Sequence, residues 1–399
     1  IDRFGARYSP AILLGALSLL VVPPLVGGDL REWATRAITL TVAGAPCALV
    51  MSTPVAVATA IGSAGKRGVL IKGGIHLETL GLLRAIALDK TGTLTLGRPV
   101  VMNVVPVGKP DRAGVLRMAG SVELHSEHPL ARAIVAATTS GQALVEPVEF
   151  QALTGSGATA RVDGQQVYVG NVDLFRELGA DLRSVEVVTQ ERRAMGETVV
   201  LVGSQHAVWG LISLRDEIRP EAREAIRNLH RAGIRTVVML TGDNERTARA
   251  IAGELGIDEI RADLKPDDKH AAVRHMAAAY GRVGMVGDGL NDAPALAAAD
   301  VGIAMGTGGT DAAIEAADVA LVGDDLRGLV YAIRLGRRVQ TISRQNIIFS
   351  LILLAVLIPA AVTGLLTVVV AVMAHEGAEL IAVLNGLRAR VPGHHSLAA

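Results

Sequence analysis

The chain has 399 residues, enough for two or three domains with a large hydrophobic core. Its 39 basic and 39 acidic residues give a formal charge of zero, which removes any general electrostatic argument for nucleic-acid binding. A single cysteine excludes intramolecular disulfides and multi-cysteine metal clusters within the chain. The sequence begins at Ile1 without a secretory signal pattern, so we expect it to be a segment of a longer protein.

Two apolar stretches near the N-terminal end are predicted to cross a bilayer. They cover residues about 11–27 and about 37–61, each close to the ~20 residues that a membrane-spanning helix needs. The second stretch has no charge and contains Pro46 followed by Cys47. A proline breaks the hydrogen-bond pattern of a membrane helix, and transporters place ion sites at such breaks. Cys47 is therefore either a small packed hydrophobic residue or a ligand beside a helix break.

The middle of the chain alternates short β-rich runs with amphipathic helices, a pattern that predicts an α/β fold. In doubly wound sheets the functional site lies at the carboxyl ends of the strands. Polar residues stand at the ends of three predicted strands: Asp89, Thr241-Gly242-Asp243 and Asp288. We therefore expect these clusters to converge on one pocket.

The residue types in these clusters suit phosphoryl transfer. A carboxylate on a tight turn, here Asp89 in DKTG, can attack phosphorus and form an aspartyl-phosphate. Asp288, with Asp292 one helical turn later, can hold a Mg²⁺ that bridges nucleophile and phosphate. Thr241 can hydrogen-bond a phosphate oxygen, and Lys269 in LKPDDK can neutralise developing charge.

Residues 98–214 interrupt this α/β pattern, which resumes at RDEIRPEA (215–222). A long insertion at the mouth of a sheet is a natural place for a substrate-binding domain. It contains VELHSEHPLA (122–131) and LTGSGATA (153–160). By themselves a His-Pro pair and a Gly-x-Gly are more often loop features than sites.

A last apolar block, residues 347–387, would be roughly 60 Å long as a helix, twice the hydrocarbon thickness of a membrane. We therefore predict two spans, with a reversal near Pro359–Gly364. The positive-inside rule then places the central region in the cytoplasm. The basic residues that follow the second span and precede the third are Lys66, Arg67, Lys72, Arg334, Arg337, Arg338 and Arg344. The alternative is that these stretches are buried core helices of a soluble protein.

The fourth predicted span places His375, Glu376 and Glu379 inside the membrane. An acid at the centre of a membrane helix costs on the order of 2.5–3.5 kcal/mol, so such residues are functional by default. A thiolate, an imidazole and a carboxylate together suit a transition metal. We therefore hypothesise that Cys47, His375 and Glu376 meet.

DKTGTLT at 89–95, TGDN at 241–244 and GDGLNDAPAL at 287–296 resemble the signature motifs of P-type ATPases, whose phosphorylation domain belongs to the haloacid-dehalogenase class. The resemblance covers essentially the whole chain. It implies that ATP phosphorylates Asp89, with Mg²⁺ held by Asp89, Asp288 and the backbone carbonyl of Thr91. It further implies catalytic roles for other motif residues, namely Lys90, Thr91, Thr241, Gly242, Asp243 and Lys269.

The insertion resembles the nucleotide-binding domain of the heavy-metal branch of that family. The match implies contacts with the adenosine part of ATP from four residues: Glu123, His128, Gly155 and Gly157. The implied fold class is a multi-domain membrane protein with an α-helical transmembrane part and an α/β haloacid-dehalogenase-like phosphorylation domain. An α+β nucleotide-binding domain is inserted into the latter. The predicted boundaries are transmembrane helices in 1–65 and 344–390, phosphorylation domain 66–97 and 215–340, nucleotide-binding domain 98–214, and tail 391–399.

The membrane motifs of the family also have counterparts here. Heavy-metal ATPases carry a Pro-Cys dipeptide, and HEG at 375–377 resembles the subgroup associated with cobalt and, in some members, zinc, iron or nickel. That subgroup usually has Ser-Pro-Cys, whereas Ala45 here removes a possible oxygen ligand. The third span lacks the lysine of one zinc/cadmium type, and the copper-type Cys-Pro-Cys is absent. The resemblance implies export of a cobalt-, zinc-, nickel- or iron-class ion, with Cys47, His375 and Glu376 as ligands.

Family members have an actuator domain with a TGE loop before the first span seen here, and this sequence contains no such loop. We therefore expect the C-terminal part of a cell-membrane pump, which needs its actuator domain and further membrane helices to complete the cycle. Two alternatives remain. One is a membrane-anchored phosphatase of the haloacid-dehalogenase type that moves no ion. The other is a non-catalytic metal-binding membrane protein. The joint presence of four residues suited to phosphoryl transfer argues against it: Asp89, Thr241, Lys269 and Asp288.

Overall fold

The computed structural model describes residues 2–139, 143–287, 292–306, 315 and 317–390. The predicted tail at 391–399 and the predicted magnesium ligand Asp288 lie outside these residues. The chain divides into two compact units. The first unit comprises Ile1–Leu83, Asp318–Gly323 and Arg327–Ala399, and the second comprises Arg84–Ala317 and Asp324–Leu326.

The helices of the described residues are α1 Asp2–Leu25, α2 Leu30–Ala43, α3 Cys47–Gly65, α4 Gly74–Leu82, α5 Arg112–Val122, α6 Pro129–Thr139, α7 Val172–Glu177, α8 Arg183–Ala194, α9 Ala222–Arg231, α10 Glu245–Leu255, α11 Pro266–Tyr280, α12 Ala293–Ala298, α13 Leu326–Thr363 and α14 Val368–Leu387. The strands are β1 Val69–Ile71, β2 Ala85–Asp89, β3 Thr95–Pro106, β4 Val148–Leu153, β5 Gly157–Val162, β6 Gln165–Gly170, β7 Thr198–Gly203, β8 Val208–Ile218, β9 Thr236–Leu240, β10 Glu259–Arg261, β11 Val283–Gly287, β12 Val301–Met305 and β13 Val319–Leu321.

The first unit contains helices α1 to α4, α13 and α14 and the antiparallel pair β1–β13. Among the described residues, three helices are long and apolar enough to cross a membrane, namely Arg7–Leu25 within α1, then α13 and α14. Their leucine and valine side chains are widely exposed, including Leu14 at 64% and Val369 at 71%. Such exposure suits contact with lipid rather than with water.

The stretch predicted as a second span is broken in two, because α2 ends at Ala43 and α3 begins at Cys47. Pro46 caps α3, and proline disfavours helical geometry in the residue before it, here Ala45. The break that Pro46 predicts is thus present, three residues long and directly before the cysteine.

The C-terminal helices also differ from the sequence expectation. Helix α13 starts at Leu326, well before the predicted start near 344, and runs through Pro359 to Thr363. The chain then reverses at Gly364, whose φ of +79° is easy only for glycine. The basic residues 334–344 and the first part of the apolar block, residues 347–363, therefore belong to one continuous helix. Residues 66–83, expected in the phosphorylation domain, are grouped with the first unit.

The second unit contains two sheets. Parallel strands are ordered β12-β11-β2-β9-β10, so β2 lies between β11 and β9 with every residue buried. The other sheet is antiparallel, ordered β3-β8-β7-β6-β5-β4. Strands β3 and β8 run through the predicted boundaries 97/98 and 214/215 without interruption. The polar ends of β2 and β9 lie at the same edge of the parallel sheet, since these strands pair in parallel from Ala85↔Thr236 to Asp89↔Leu240.

Candidate functional site

Asp89 ends the central strand β2 and is only 4% exposed. The next residues, Lys90–Leu94, form a tight turn in which Gly92 has a φ of +73°. A residue with a Cβ is strained in that conformation, so the glycine of DKTG allows the chain to turn directly after the carboxylate. The aspartate therefore sits at a fixed position on the carboxyl edge of the sheet.

The turn is held by a buried arginine that the sequence reasoning did not single out. The Arg219 guanidinium donates to the carbonyl oxygens of Gly92 at 2.8 Å and Thr93 at 2.9 Å. Nearby, the Thr95 hydroxyl donates to Asp216 Oδ2 at 2.5 Å. Asp216 and Arg219 both belong to RDEIRPEA, the segment at which the α/β pattern resumes after the insertion. The return of the α/β pattern at this segment was the only sign in the sequence that the segment matters, and it did not indicate a role for Asp216 or Arg219.

Lys269 in α11 joins two acidic residues of the site. Its Nζ lies 2.5 Å from Asp89 Oδ1 and 2.8 Å from Asp292 Oδ1. Burial lowers the pKa of Lys269, but the negative charges of Asp89 and Asp292 outweigh this effect, so the pKa lies above its ordinary value. The lysine therefore stays cationic between two buried carboxylates.

The TGD cluster follows β9 on the same edge of the sheet. Thr241 is 2% exposed, and its Oγ1 accepts a hydrogen bond of 3.0 Å from the Asp243 backbone N–H. Asp243 in turn accepts from Lys90 Nζ at 2.6 Å. Gly242 lies close to the Leu264 carbonyl, which a Cβ at that position would approach to 3.3 Å. The structure thus links the DKTG and TGD motifs through the Lys90–Asp243 ion pair.

The four predicted adenosine contacts line one cavity of about 340 Å³ in the second unit. Gly157 can only be glycine, because a Cβ there would lie 2.1 Å from the Val169 carbonyl oxygen. Gly155 has a φ of +75°. Glu123 is 8% exposed, and burial raises the pKa of its carboxyl although a hydrogen bond with Ser126 opposes the rise. The exposed His128 ring accepts a 3.2 Å hydrogen bond at Nδ1 from the Leu130 backbone.

Asn171 is a further residue at this cavity that the sequence reasoning missed. Its Oδ1 caps α7 by accepting from the Leu174 backbone at 2.9 Å, while Nδ2 donates to the Gly155 carbonyl at 3.1 Å. Asn171 also lines a second cavity, of about 620 Å³, together with Lys90, Thr91 and Asp243. An elongated ligand could therefore extend from the glycines toward the DKTG turn. The sequence offered one sign of this residue: in GNVDLF, Asn171 stands directly before a helix, where asparagine is a favoured N-cap.

The residues predicted from the sequence as metal ligands, Cys47, His375 and Glu376, lie in the first unit. Cys47 begins α3, and its thiol is near enough to Glu379 and Glu376 to interact with them electrostatically. His375 instead faces a small cavity that Ala45 and Pro46 also line. Within the described parts of the chain, no three His, Cys, Asp or Glu residues lie close enough together to hold a metal ion. Cys47, His375 and Glu376 are thus all near the helix break, but they do not form one closed set.

Comparison with known proteins identifies the class. A family model described as haloacid dehalogenase-like hydrolase matches residues 83–300, more than half of the chain. The chain therefore belongs to the haloacid dehalogenase-like hydrolases.

Similarity to whole proteins is more specific. A manganese-exporting P-type ATPase of Mycobacterium bovis is 44% identical over 97% of this chain and 53% of its own length. A cadmium-transporting ATPase of Staphylococcus aureus is 40% identical over 97% of this chain and 54% of its own. The crystal structure of a zinc-transporting PIB-type ATPase in the E2.Pi state matches with a TM-score of 0.90 and 41% identity, over 98% of this chain and 64% of that one.

The resemblance to heavy-metal P-type ATPases is thereby confirmed. The chain spans about half the length of the curated relatives it matches. Its fold is that of a membrane protein with a helical transmembrane part, a cytoplasmic phosphorylation domain of the haloacid-dehalogenase type and an inserted nucleotide-binding domain. The names of these relatives mention cadmium, manganese and zinc, so the assignment to cobalt, nickel or iron gains no support from them.

Lys269 offers a test of the site that does not depend on activity. Lys269→Ala leaves the buried carboxylates of Asp89 and Asp292 without their cation, which should cost about 3–5 kcal/mol of stability. The midpoint of thermal unfolding should fall accordingly. Asp89→Asn in the same background removes one of the two negative charges and should restore part of the loss.

Arg274→Ala is the matched control, because Arg274 is an exposed cation on the same helix. It should leave the unfolding midpoint unchanged. A double variant no more stable than Lys269→Ala would show that the ionic bridge does not hold the site together.

Proposed function

We propose that the full-length protein exports a divalent transition metal from the cytoplasm, driven by ATP through an aspartyl-phosphate at Asp89. The single observation that supports this most strongly is the bridge of Lys269 to Asp89 and Asp292 at the carboxyl edge of the parallel sheet. A buried carboxylate beside a fixed cation is arranged to receive a phosphoryl group and to neutralise the charge that develops on it.

In this proposal an Asp89 carboxylate oxygen forms the new bond to the γ-phosphorus of ATP, and the bond from that phosphorus to ADP breaks. Lys269 neutralises charge on the reacting oxygens. The Thr241 hydroxyl accepts a hydrogen bond from the Asp243 backbone, so its own hydrogen is available to a phosphoryl oxygen. Arg219 holds the turn so that Asp89 keeps its orientation during the transfer.

The donor set also fits a magnesium ion, which prefers carboxylate and carbonyl oxygens. Asp89, Asp288 and the Thr91 carbonyl would hold it, and when bound it would withdraw charge from the phosphate oxygens. Asp292 was expected to assist. In the structure its Oδ1 accepts from Lys269, so we assign it the positioning of that lysine.

The nucleotide would lie with its adenosine in the 340 Å³ cavity. Gly157 lets β5 pass close to Val169 and Gly170 of β6, and these residues together line the cavity. Asn171 lines both cavities and would therefore lie beside the middle of the bound nucleotide. The triphosphate would extend toward Lys90 and Thr91, which line the larger cavity.

For the transported ion we propose Cys47, His375 and Glu376 as ligands beside the break at Pro46. Thiolate, imidazole and carboxylate together suit a borderline divalent ion such as zinc or cobalt. Since the three residues do not form a closed set among the described residues, a helix movement would have to bring them together.

Phosphorylation can be measured directly. The full-length protein with γ-labelled ATP, Mg²⁺ and transition metal should form an acid-stable, hydroxylamine-labile phosphate, because an acyl phosphate has those properties. Asp89→Asn should remove the label. Asp173→Asn, which changes an exposed carboxylate on α7, should not. Label that persists in Asp89→Asn would place the chemistry on another residue.

Metal stimulation separates an exporter from a phosphatase that moves no ion. Cys47→Ser and His375→Ala should each abolish the metal-stimulated part of ATP turnover, since each removes a ligand of the transported ion. Nucleotide affinity should remain at the wild-type level in both. If both variants kept wild-type turnover and metal dependence, the phosphatase alternative would stand.

Nucleotide affinity tests the insertion. His128→Ala should weaken ATP binding to the full-length protein roughly ten-fold, a loss of about 1.4 kcal/mol of binding free energy. Titration calorimetry measures this affinity. His125→Ala is the matched control: its ring bonds Glu146 at 2.9 Å and lies outside the cavity lining. Equal effects of the two substitutions would argue that His128 does not contact the nucleotide.

A further inference from the structure

A small cavity of the first unit lies beside the helix break at Pro46. Alanine and leucine side chains from α13, α14 and the residues before the break form most of its lining. Two polar side chains join them, Ser350 from α13 and His375 from α14. The cavity has a volume of about 10 Å³, enough for about one water-sized particle.

Both polar side chains leave an atom without a hydrogen-bond partner. Ser350 is 3% exposed, and its Oγ is buried and unpaired. The Nε2 atom of His375 is buried and unpaired as well. An unpaired buried polar atom is destabilising, so two of them in one cavity require an explanation.

The Ser350 hydroxyl, like that of Ser343 on the same helix, has no hydrogen-bond partner. Hydroxyls on membrane helices normally bond back to a carbonyl one turn earlier. Here Thr39 and Thr41 do so at 2.8 and 2.9 Å, and Thr363 at 2.8 Å. Ser350 makes no such bond, and its Oγ is left for whatever occupies the cavity.

An imidazole nitrogen and a hydroxyl oxygen can both bind a divalent cation, just as both can hydrogen-bond a water molecule. Position 45 is alanine, so the break itself offers no side-chain oxygen there. Pro46 cannot donate a hydrogen bond from its backbone nitrogen either. Ser350 therefore supplies the side-chain oxygen in the lining of the cavity. It lies on α13, a helix for which the sequence predicted no metal ligand.

We propose that Ser350 is an oxygen ligand of the transported ion, acting with His375 in the cavity at Pro46 and setting the preference among metals. The inference rests on the proposed function and extends it to a residue on α13. Oxygen ligands favour harder ions, whereas thiolates favour softer ones. Ser350 should thus strengthen binding of Mn²⁺ and Zn²⁺ relative to Cd²⁺.

The test uses the full-length protein and compares two serines of α13. Ser343 has the same side chain on the same helix, and its Oγ is likewise buried and unpaired, but it does not line the cavity. Ser350→Ala should weaken Mn²⁺ and Zn²⁺ binding about ten-fold, as expected for loss of one metal-site partner, and Cd²⁺ binding less. Ser343→Ala should leave all three unchanged. Equilibrium dialysis with metal analysis measures each affinity.

Two further measurements exclude a purely structural effect. Ser350→Cys keeps the size of the side chain and offers sulfur, so it should shift the preference toward Cd²⁺. The visible absorption of bound Co²⁺ should change in Ser350→Ala but not in Ser343→Ala, because it reports the ligands directly.

The failure of this inference is distinguishable from failure of the proposed function. If Cys47→Ser and His375→Ala abolish Zn²⁺ binding while Ser350→Ala binds all metals as wild type does, the role of Ser350 is refuted and the exporter stands. A cavity that holds only water gives that same result. If the wild-type protein binds none of the metals, both proposals fall.

Discussion

The ionic bridge from Lys269 to Asp89 and Asp292 is the interaction on which the site of the second unit depends. Two carboxylates this little exposed are costly to bury together without a cation between them. Lys269 supplies that cation from the start of α11, whose later residues Val273 and Met276 pack into the core of the parallel sheet. Helix α11 is therefore held in place both by the ion pairs of Lys269 and by the packing of its apolar residues. The two interactions fix the same position of Lys269 beside the carboxylates.

The turn after Asp89 adds a second constraint of a different kind. Arg219 binds backbone carbonyls rather than an acidic side chain, so it restrains the path of the chain directly after Asp89. Because Thr95 begins β3 and Asp216 lies in β8, their hydrogen bond ties the two strands that lead into and out of the insertion. The residues that hold the turn after Asp89 and the strands of the antiparallel sheet are thus directly connected.

These features explain what the sequence could predict. The meeting of Asp89 with Thr241 and Asp243 follows from parallel strands whose ends share an edge, and short hydrophobic runs suffice to recognise those strands. Arg219 and Asn171 escaped recognition because they bind backbone carbonyls, which every residue possesses. The early start of α13 was missed because hydropathy detects apolar surface and not the continuity of a helix across a polar border.

The residues proposed as metal ligands show the same limit at the level of one helix. Adjacent residues on a helix point about 100° apart, so His375 and Glu376 have different surroundings in this structure. His375 lines the cavity with Ala378, three residues on, while Glu376 is exposed. Residue types indicated the chemistry, but only helix rotation decides which ligands meet.

In the second unit Lys269 pairs with Asp89 and Asp292, and Lys90 with Asp243, whereas the cavity at Pro46 keeps two polar atoms without a partner. This contrast fits the two tasks. A phosphoryl-transfer site benefits from groups held in place before the reaction. A site that must bind an ion and then release it must hold it only moderately. No hydrogen bond at Ser350 Oγ or His375 Nε2 breaks when an ion arrives, and none re-forms when it leaves. The burial of these two atoms is therefore compensated only while an ion is bound.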